Sequence, residues 1–442
     1  MSADAHPVRV RMAPSPTGAL HIGGVRTALF NWLFARNRGG EFLVRIENTD
    51  TSREVQGAVE HALDSLSWLG LDWDRPPTFQ LDRLDDCRRV AEQLVADGRA
   101  YEDEGAIRFR MPDDGTTSWV DLVRGEISFP NESLEDLVLV RADGRPTYNF
   151  ASPMEDVWDG ITHVIRGEDH VSNTPKQINI IRAVGAELPA YAHVPNVMGP
   201  DGKKLSKRHG ATGVDELRAQ GYVAPALLNF LALLGWAPDG ETTIMSRDEL
   251  VNRFDLARVS PSPSQFDYDK LDWMNGVYLR ALPPEEYADV LAGYLREQAY
   301  DWDEQLVRAA APLVQEKITK LGEFPAFAGF LFHDVESDVG GDVEVVAAAR
   351  DALAELEPFN AESIEIALRS VLERLGLKPR QGFQPIRIAV TGSKVSPGLF
   401  ESIELLGREA ALARLSAAAS AATASATPAG RGPAESGATP AA

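Results

Sequence analysis

The chain has 442 residues, with 66 Asp and Glu against 44 Lys and Arg and a net charge of −22; at about 150 residues per domain it should fold as about three domains. The acidic balance excludes a uniformly basic nucleic-acid binder, since Lys and Arg make the phosphate contacts. One cysteine, Cys87, excludes a disulfide framework and a Cys-rich zinc site, and the longest apolar runs, such as 226–236, are about half the roughly 20 residues of a membrane-spanning helix.

Val8-Arg9-Val10-Arg11-Met12 reads as a buried strand, the Pro/Ser/Thr/Gly run to Gly18 as a tight loop, and His21-Ile22-Gly23-Gly24 as the entry to an apolar helix over 24–36. Gly18, Gly23 and Gly24 let backbone N–H groups approach an anion, the helix start is partly positive and His21 adds a donor, so the unit predicts a phosphate cradle. A strand at 42–47 and a helix at 55–69 complete the first half of a doubly wound α/β nucleotide fold, residues 1–100. Residues 101–145, with short alternating strands at 107–111 and 137–141, read as a small α+β insertion. The second half, 146–245, carries a strand at 163–166 and helices at 174–184 and 224–234. Open α/β sheets bind ligands where strand order reverses, and the loops after Met12, Glu47 and Arg166 are expected to meet there.

Lys203-Lys204-Leu205-Ser206-Lys207-Arg208 puts four cations in one loop, which suits a leaving pyrophosphate. With Arg369 to Arg380, this cluster could give an acidic body a local positive track. From residue 246 the pattern turns helical, punctuated by Ser260-Pro-Ser-Pro-Ser264, and 304–416 reads almost entirely as helices. Residues 417–442 are nearly all Ala, Ser, Thr, Pro and Gly, and are expected to be a disordered tail. Residues 1–7 lack a basic stretch followed by an apolar one, so a cytoplasmic protein without a signal peptide is expected.

Pro14-Ser-Pro-Thr-Gly-x-x-His21-Ile-Gly-Gly resembles the HIGH element of class I aminoacyl-tRNA synthetases, and Lys204-Leu-Ser-Lys-Arg208 their KMSKS loop. Arg26-Thr-Ala-Leu-Phe-Asn-Trp32, Arg45-Ile-Glu-Asn-Thr-Asp50, Pro146-Thr-Tyr-Asn-Phe150, His163-Val-Ile-Arg-Gly-Glu-Asp169 and Phe266 to Asn275 narrow the resemblance to the bacterial glutamyl-tRNA synthetase family, over residues 8–416. It implies a Rossmann-like doubly wound parallel sheet followed by all-α C-terminal domains: a stem-contact domain at 246–320 and an anticodon-binding domain at 321–416. It also implies ATP-dependent ligation of L-glutamate to tRNA(Glu) through glutamyl-adenylate, for protein synthesis. ATP with Mg²⁺ on the nucleotide is expected, with no zinc or other metal site, and a monomer without membrane contact. A paralogue supplying glutamyl-adenylate or glutamyl-tRNA to a biosynthetic or resistance pathway, and an inactive tRNA-binding regulator, are the rival readings.

The resemblance distributes the roles. His21, Lys207 and Lys204 are the catalytic candidates. Gly18, His21, Gly23, Gly24, Asp169, His170, Lys204 and Lys207 would bind ATP, and Arg11, Ala13, Ser15, Glu47, Tyr148 and Arg166 would bind glutamate. Arginines at the ends of buried strands must be paired or face a site; the bland alternative for Arg11 and Arg166 is an ion pair with Glu47 or Asp50. His163 and His170, seven apart with no third ligand near, do not make a metal site, and Trp68, Trp73 and Trp236 read as packing. Two departures stand out: Asn48 occupies a position where the family carries aspartate, and only residues 102–107 lie where it carries a long acceptor-binding segment.

Overall fold

The computed structural model describes residues 7–340 and 342–425, in two compact units that divide after Tyr278. In the first unit the chain runs β1 (Arg9–Met12), α1 (Ile22–Asn37), β2 (Glu41–Ile46), α2 (Ala58–Trp68), β3 (Thr78–Phe79) and α3 (Leu84–Ala96). Next come five short strands, β4 (Ala100–Asp103), β5 (Ala106–Phe109), β6 (Thr116–Asp121), β7 (Gly125–Pro130) and β8 (Leu137–Val140). It continues with α4 (Tyr148–Trp158), β9 (His163–Gly167), α5 (Thr174–Ala183), β10 (Ala190–Val194), β11 (Val197–Met198), α6 (Val214–Ala219), α7 (Ala224–Ala232), α8 (Arg247–Arg253), β12 (Ser264–Gln265) and α9 (Tyr268–Ala281).

β1, β2 and β3 pair in parallel, as do β9 and β10. Thr162 joins the two sets: its N–H donates to the Arg9 carbonyl at 2.9 Å and its Oγ1 accepts from the Arg9 N–H at 2.9 Å. The chain thus starts at β1, winds outward to β3, and returns on the other side of β1 through β9 and β10, which makes the C-terminal ends of β1 and β9 the reversal point. Val10, Phe42, Val44 and Ile165 on the strands pack with Leu29, Phe30 and Leu33 of α1 in one core.

The stretch expected as a separate insertion divides between two sheets. β4, β5 and β8 form an antiparallel sheet of their own, whereas the β6–β7 hairpin pairs onto β10, with Asp121 opposite Tyr191. β4 turns into β5 through Glu104 and Gly105, both at positive φ (49° and 83°), the backbone a two-residue hairpin demands.

Two expected boundaries move. The chain does not break at 245/246: Leu250, Phe254, Leu256, Phe266 and Leu271 lie in the same core as α1. The second unit comprises α10 (Pro284–Glu297), α11 (Glu304–Val314), α12 (Phe324–Ala328), α13 (Val343–Ala354), α14 (Ala361–Leu375), α15 (Pro379–Thr391), α16 (Leu399–Leu406) and α17 (Arg408–Ser425). α17 continues past the expected end at 416, because alanines, though poor in apolar area, are the best helix formers, and Ala418 and Ala419 pack into the core of this unit with Leu415 and Ala411. The rest of the expected tail, 426–442, lies outside the described residues. A chain ending at Ser416 is therefore expected to lose roughly 1–2 kcal/mol relative to one ending at Ser425, as two buried alanines and a helical turn go; differential scanning calorimetry of the two truncations measures it.

No helix among the described residues is long and apolar enough to cross a membrane.

Candidate active site

A cavity of about 580 Å³ opens at the reversal point. Arg11, Met12 and Ala13 line it from the end of β1, Glu47 from the end of β2, Arg166 and Gly167 from β9, and Pro195 and Asn196 from the turn after β10. His21, Gly23 and Gly24 border it at the start of α1, and Lys204, Leu205 and Ser206 bring in the cationic loop. Tyr148, Asp169 and His170 complete the wall. An adjoining cavity of about 280 Å³ shares Ala13, Glu47, Tyr148 and His170 and adds Ser15. Of the expected residues, Gly18 lines neither; its φ of +139° belongs to the turn that delivers His21. Lys207 opens the 3-10 turn Lys207–His209, and its side chain lies outside what is described.

His21 is the N-cap of α1. Its Nδ1 accepts the Gly23 N–H at 3.1 Å, so the proton sits on Nε2, which hydrogen-bonds the Leu205 backbone. Burial lowers its pKa, and Lys204 adds to that, so the ring is a neutral donor. The cationic loop is fastened by Leu205, which is buried and whose N–H donates to Val197 at 2.9 Å, and by His209, which meets Asp201 at 3.1 Å. Lys204 makes no ion pair among the described residues, while Lys203 is exposed outside the cavity.

The two expected clamp arginines have different surroundings. Arg11 binds Asp156 through Nε at 2.8 Å and Nη2 at 3.2 Å, not Glu47 or Asp50, and keeps Nη1 without a partner among the described residues. Arg166 donates from Nη1 to Gln177 at 2.8 Å, from Nη2 to Thr174 at 2.7 Å and from Nε to His193 at 3.2 Å. Burial lowers the pKa of His193 and leaves it neutral, so all three of Arg166's acceptors are uncharged. Arg166 is 5% exposed. A guanidinium so buried, with its charge unmatched, holds a positive potential on the cavity wall.

Beneath Arg11 lies an ionic cluster the sequence did not announce. Arg45, 1% exposed, reaches Asp156 at 2.7 Å, Ser152 at 3.1 Å and Glu47 at 3.5 Å; its Nε lies 3.2 Å from Glu155 without hydrogen-bond alignment. Burial works against the Asp156 charge, but Arg11 and Arg45 outweigh it and hold its pKa at about 2. Glu155, linked to Gln80 at 2.8 Å, is pushed up to about 7 by burial, with Glu47 and Asp156 adding repulsion. Burial also raises Glu47, against the pull of Arg45 and Arg11. Tyr148 hydrogen-bonds Nδ1 of His170 at 2.9 Å, and burial, then Arg166, takes His170 down to about 4, so it too is neutral.

Two further residues were missed as site components. Arg26 stands on the buried face of α1, donates to the Pro195 and Leu234 carbonyls and lines the cavity with its Nε unpaired; a charge inside an apolar helical run was the available signal. Asn196 joins Glu168 through its N–H at 2.7 Å and its amide at 2.8 Å, and nothing local in the sequence marks it. Asn48 turns from the cavity and accepts the Leu81 N–H at 3.2 Å, a task for which an amide oxygen serves as well as a carboxylate. Among the described residues no group of three or more His, Cys, Asp or Glu could hold a metal ion.

Known proteins with similar sequences fit this arrangement. The catalytic domain of tRNA synthetases class I (E and Q) matches residues 7–106 and 102–273, and the anticodon binding domain matches 286–419. The two catalytic matches meet at the Glu104–Gly105 turn. The glutamate–tRNA ligase of Moorella thermoacetica is 41% identical over 483 aligned residues, covering 93% of this chain and 98% of the relative. Glutamate–tRNA ligase 1 of Caldanaerobacter subterraneus subsp. tengcongensis is 39% identical over 465, covering 92% and 96%. A crystal structure of a glutamate tRNA ligase from Elizabethkingia meningosepticum, in complex with its amino acid, superposes with a TM-score of 0.80 at 30% identity, over 94% of this chain and 99% of that one.

Proposed function

The chain belongs to the class I tRNA synthetases (E and Q), and from that premise we propose how its residues carry out glutamate–tRNA ligation. The glutamate side-chain carboxylate binds Arg166 and the spare amino group of Arg11, and Glu47 with Tyr148 receives the α-ammonium. The observation that carries this reading is Arg166: a buried cation on the cavity wall whose three protein partners are all neutral is poised for an anionic ligand, and its planar fork suits a carboxylate. An incoming ammonium beside Glu47 stabilises the anionic form that burial disfavours.

The substrate ATP lies with its phosphates over the start of α1. The start of α1 at Gly24, the Nε2–H of His21 and the unpaired cation of Lys204 fit a polyphosphate, with Gly23, whose N–H is taken by the cap, leaving room for close approach, and the sequence adds Lys207. Asp169 and His170 lie on the nucleotide side. Mg²⁺ carried on the phosphates would neutralise part of their charge. The glutamate α-carboxylate attacks the α-phosphorus, pyrophosphate leaves, and the terminal ribose hydroxyl of tRNA(Glu) then attacks the glutamyl carbonyl and releases AMP. At the first step the protein positions the reactants and stabilises charge; no covalent enzyme intermediate is needed. This is the charging reaction of protein synthesis, run in the cytoplasm. The 483-residue alignment, longer than this chain, and the tight Glu104–Gly105 turn support a shortened acceptor-binding insertion.

Pyrophosphate exchange with glutamate and with glutamine, each with and without tRNA, tests the reading alongside charging of purified tRNA(Glu). Glutamate-dependent exchange and charging are expected, with glutamine inert because its amide would set N–H groups against the guanidinium donors. No glutamate-dependent exchange in the presence of tRNA, with no charging, would overturn the proposal.

A further inference from the structure

Arg166 is held by a chain of contacts that begins outside the catalytic strands. Asp121 ends β6, in the hairpin that extends the sheet beyond β10, and its carboxylate is fully buried. Its Oδ1 accepts the backbone N–H groups of Val123, Arg124 and His193 at 3.1, 3.0 and 3.1 Å, and its Oδ2 lies 2.5 Å from Nδ1 of His193. A carboxylate locked in this way accepts only, so Nδ1 carries the imidazole proton and Nε2 presents its lone pair. That lone pair faces both Nε of Arg166, at 3.2 Å, and the Thr174 hydroxyl, at 3.0 Å.

We propose that Asp121 and His193 are positioning residues for the glutamate clamp: Asp121 fixes the His193 tautomer, and the Nε2 lone pair so exposed sets the plane of the Arg166 guanidinium that receives the substrate carboxylate. The inference rests on the reading of Arg166 as a clamp, and it gives the β6–β7 hairpin a part in amino-acid recognition. Two features make it more than packing. In the other tautomer Nε2–H could donate to the Thr174 hydroxyl but would turn an N–H toward the Nε–H of Arg166 and leave that donor without its acceptor, so the arrangement depends on which nitrogen bears the proton and not merely on the space the ring fills. Thr174 and Gln177 hold only the outer amino groups of Arg166, so His193 alone among its partners engages Nε.

Asp121→Asn separates these effects. The amide keeps an oxygen for the three backbone N–H groups but offers Nδ1 an N–H, so the His193 proton moves to Nε2 and opposes Arg166. The expected result is a KM for glutamate raised at least about tenfold in pyrophosphate exchange, with kcat and the KM for ATP within about twofold and an unchanged unfolding temperature, as for loss of a ground-state contact. His193→Gln places an amide oxygen near the Nε2 position without help from Asp121 and should stay close to the parent, whereas His193→Leu, which lacks an acceptor, should match Asp121→Asn. In the His193→Gln background Asp121→Asn should add nothing. Unchanged glutamate KM in Asp121→Asn, equal increments in both backgrounds, or equal KM in the Gln and Leu variants would overturn the proposal. Arg166→Ala tells the two layers apart: if it leaves glutamate KM unchanged, the clamp reading itself falls, and if it raises KM while the Asp121 and His193 variants do not, only the positioning role falls.

Discussion

Replacing His21 by asparagine is expected to lower the turnover number for adenylate formation by about 10²–10³-fold, the cost of removing one donor from a developing oxyanion, while leaving the protein as stable as before. The imidazole does two jobs with two nitrogens. Nδ1 caps α1 by accepting the Gly23 N–H, and Nε2 carries the proton that the Leu205 backbone takes here and a phosphate oxygen would take in the complex. Asparagine places its oxygen where Nδ1 was, preserving the cap, but its N–H falls short of the Nε2 position. His21→Ala loses both functions, with a further cost of about 0.5–2 kcal/mol for the missing cap. Because the ring is neutral, the donor persists across the neutral range and the rate should not titrate with His21 near pH 7. Single-turnover measurement of both variants, with thermal unfolding alongside, checks the division; parent-like turnover in His21→Asn would remove the side chain from the chemistry.

How much of this site could be read from the chain follows from the range of the interactions involved. The start of α1, the end of β1 and the cationic loop were legible because each is built from neighbours: Gly18 shapes the turn, His21 caps the helix beginning one residue later, and Lys204 lies in a hairpin closed by Gly199 and Lys203 at 2.7 Å. The parallel strands are short, β-branched and apolar segments broken chiefly by arginines, as in Val8-Arg9-Val10-Arg11-Met12, and their alternation with helical stretches set the fold class. Asp156 was not legible. In the α4 segment Met154-Glu155-Asp156-Val157-Trp158 it looks like a surface acid, and only the approach of Arg11 and Arg45, 145 and 111 residues earlier in the chain, makes it a buried counter-ion. The same holds for Asp121, whose role depends on β6 pairing with a strand some 70 residues later. The stretch 116–130 alternates as any edge hairpin does, and nothing in that alternation names the sheet it joins. The helical extension to Ser425 is hidden by low complexity for a different reason: a run of alanines offers little apolar area, yet alanine's helix propensity carries α17 on, and Ala418 and Ala419 are small enough to pack into the core.

Asp156→Asn is expected to destabilise the first unit by about 3–5 kcal/mol, because it strips the shared anion from two buried guanidiniums, leaving Arg11 without its counter-ion and Arg45 with only Glu47, Glu155 and Asp159. The carboxylates on either side of Arg45 then make opposite contributions to the pH dependence of stability. Asp156, at about 2 in the folded state against about 3.9 unfolded, stabilises fully above pH 4, and that contribution is lost as pH falls toward 2. Glu155, at about 7 folded against about 4.3 unfolded, binds a proton in the native state that the unfolded chain has released, so stability declines as pH rises from about 4 to 7. Glu155→Gln mimics the protonated form and should flatten that decline while barely changing the stability at pH 4. On the proposed clamp reading the cluster also bears on the site, since Asp156 holds the Nε and Nη2 edge of Arg11 and so would aim Nη1 at a substrate carboxylate. Glu155→Gln should therefore leave glutamate binding intact and Asp156→Asn should weaken it, even at temperatures where both remain folded. Unfolding midpoints between pH 4 and 8, with glutamate KM measured at low temperature, decide the matter: a parent-like pH slope in Glu155→Gln would show that Glu155 is ionised throughout, held by Arg45 despite its burial.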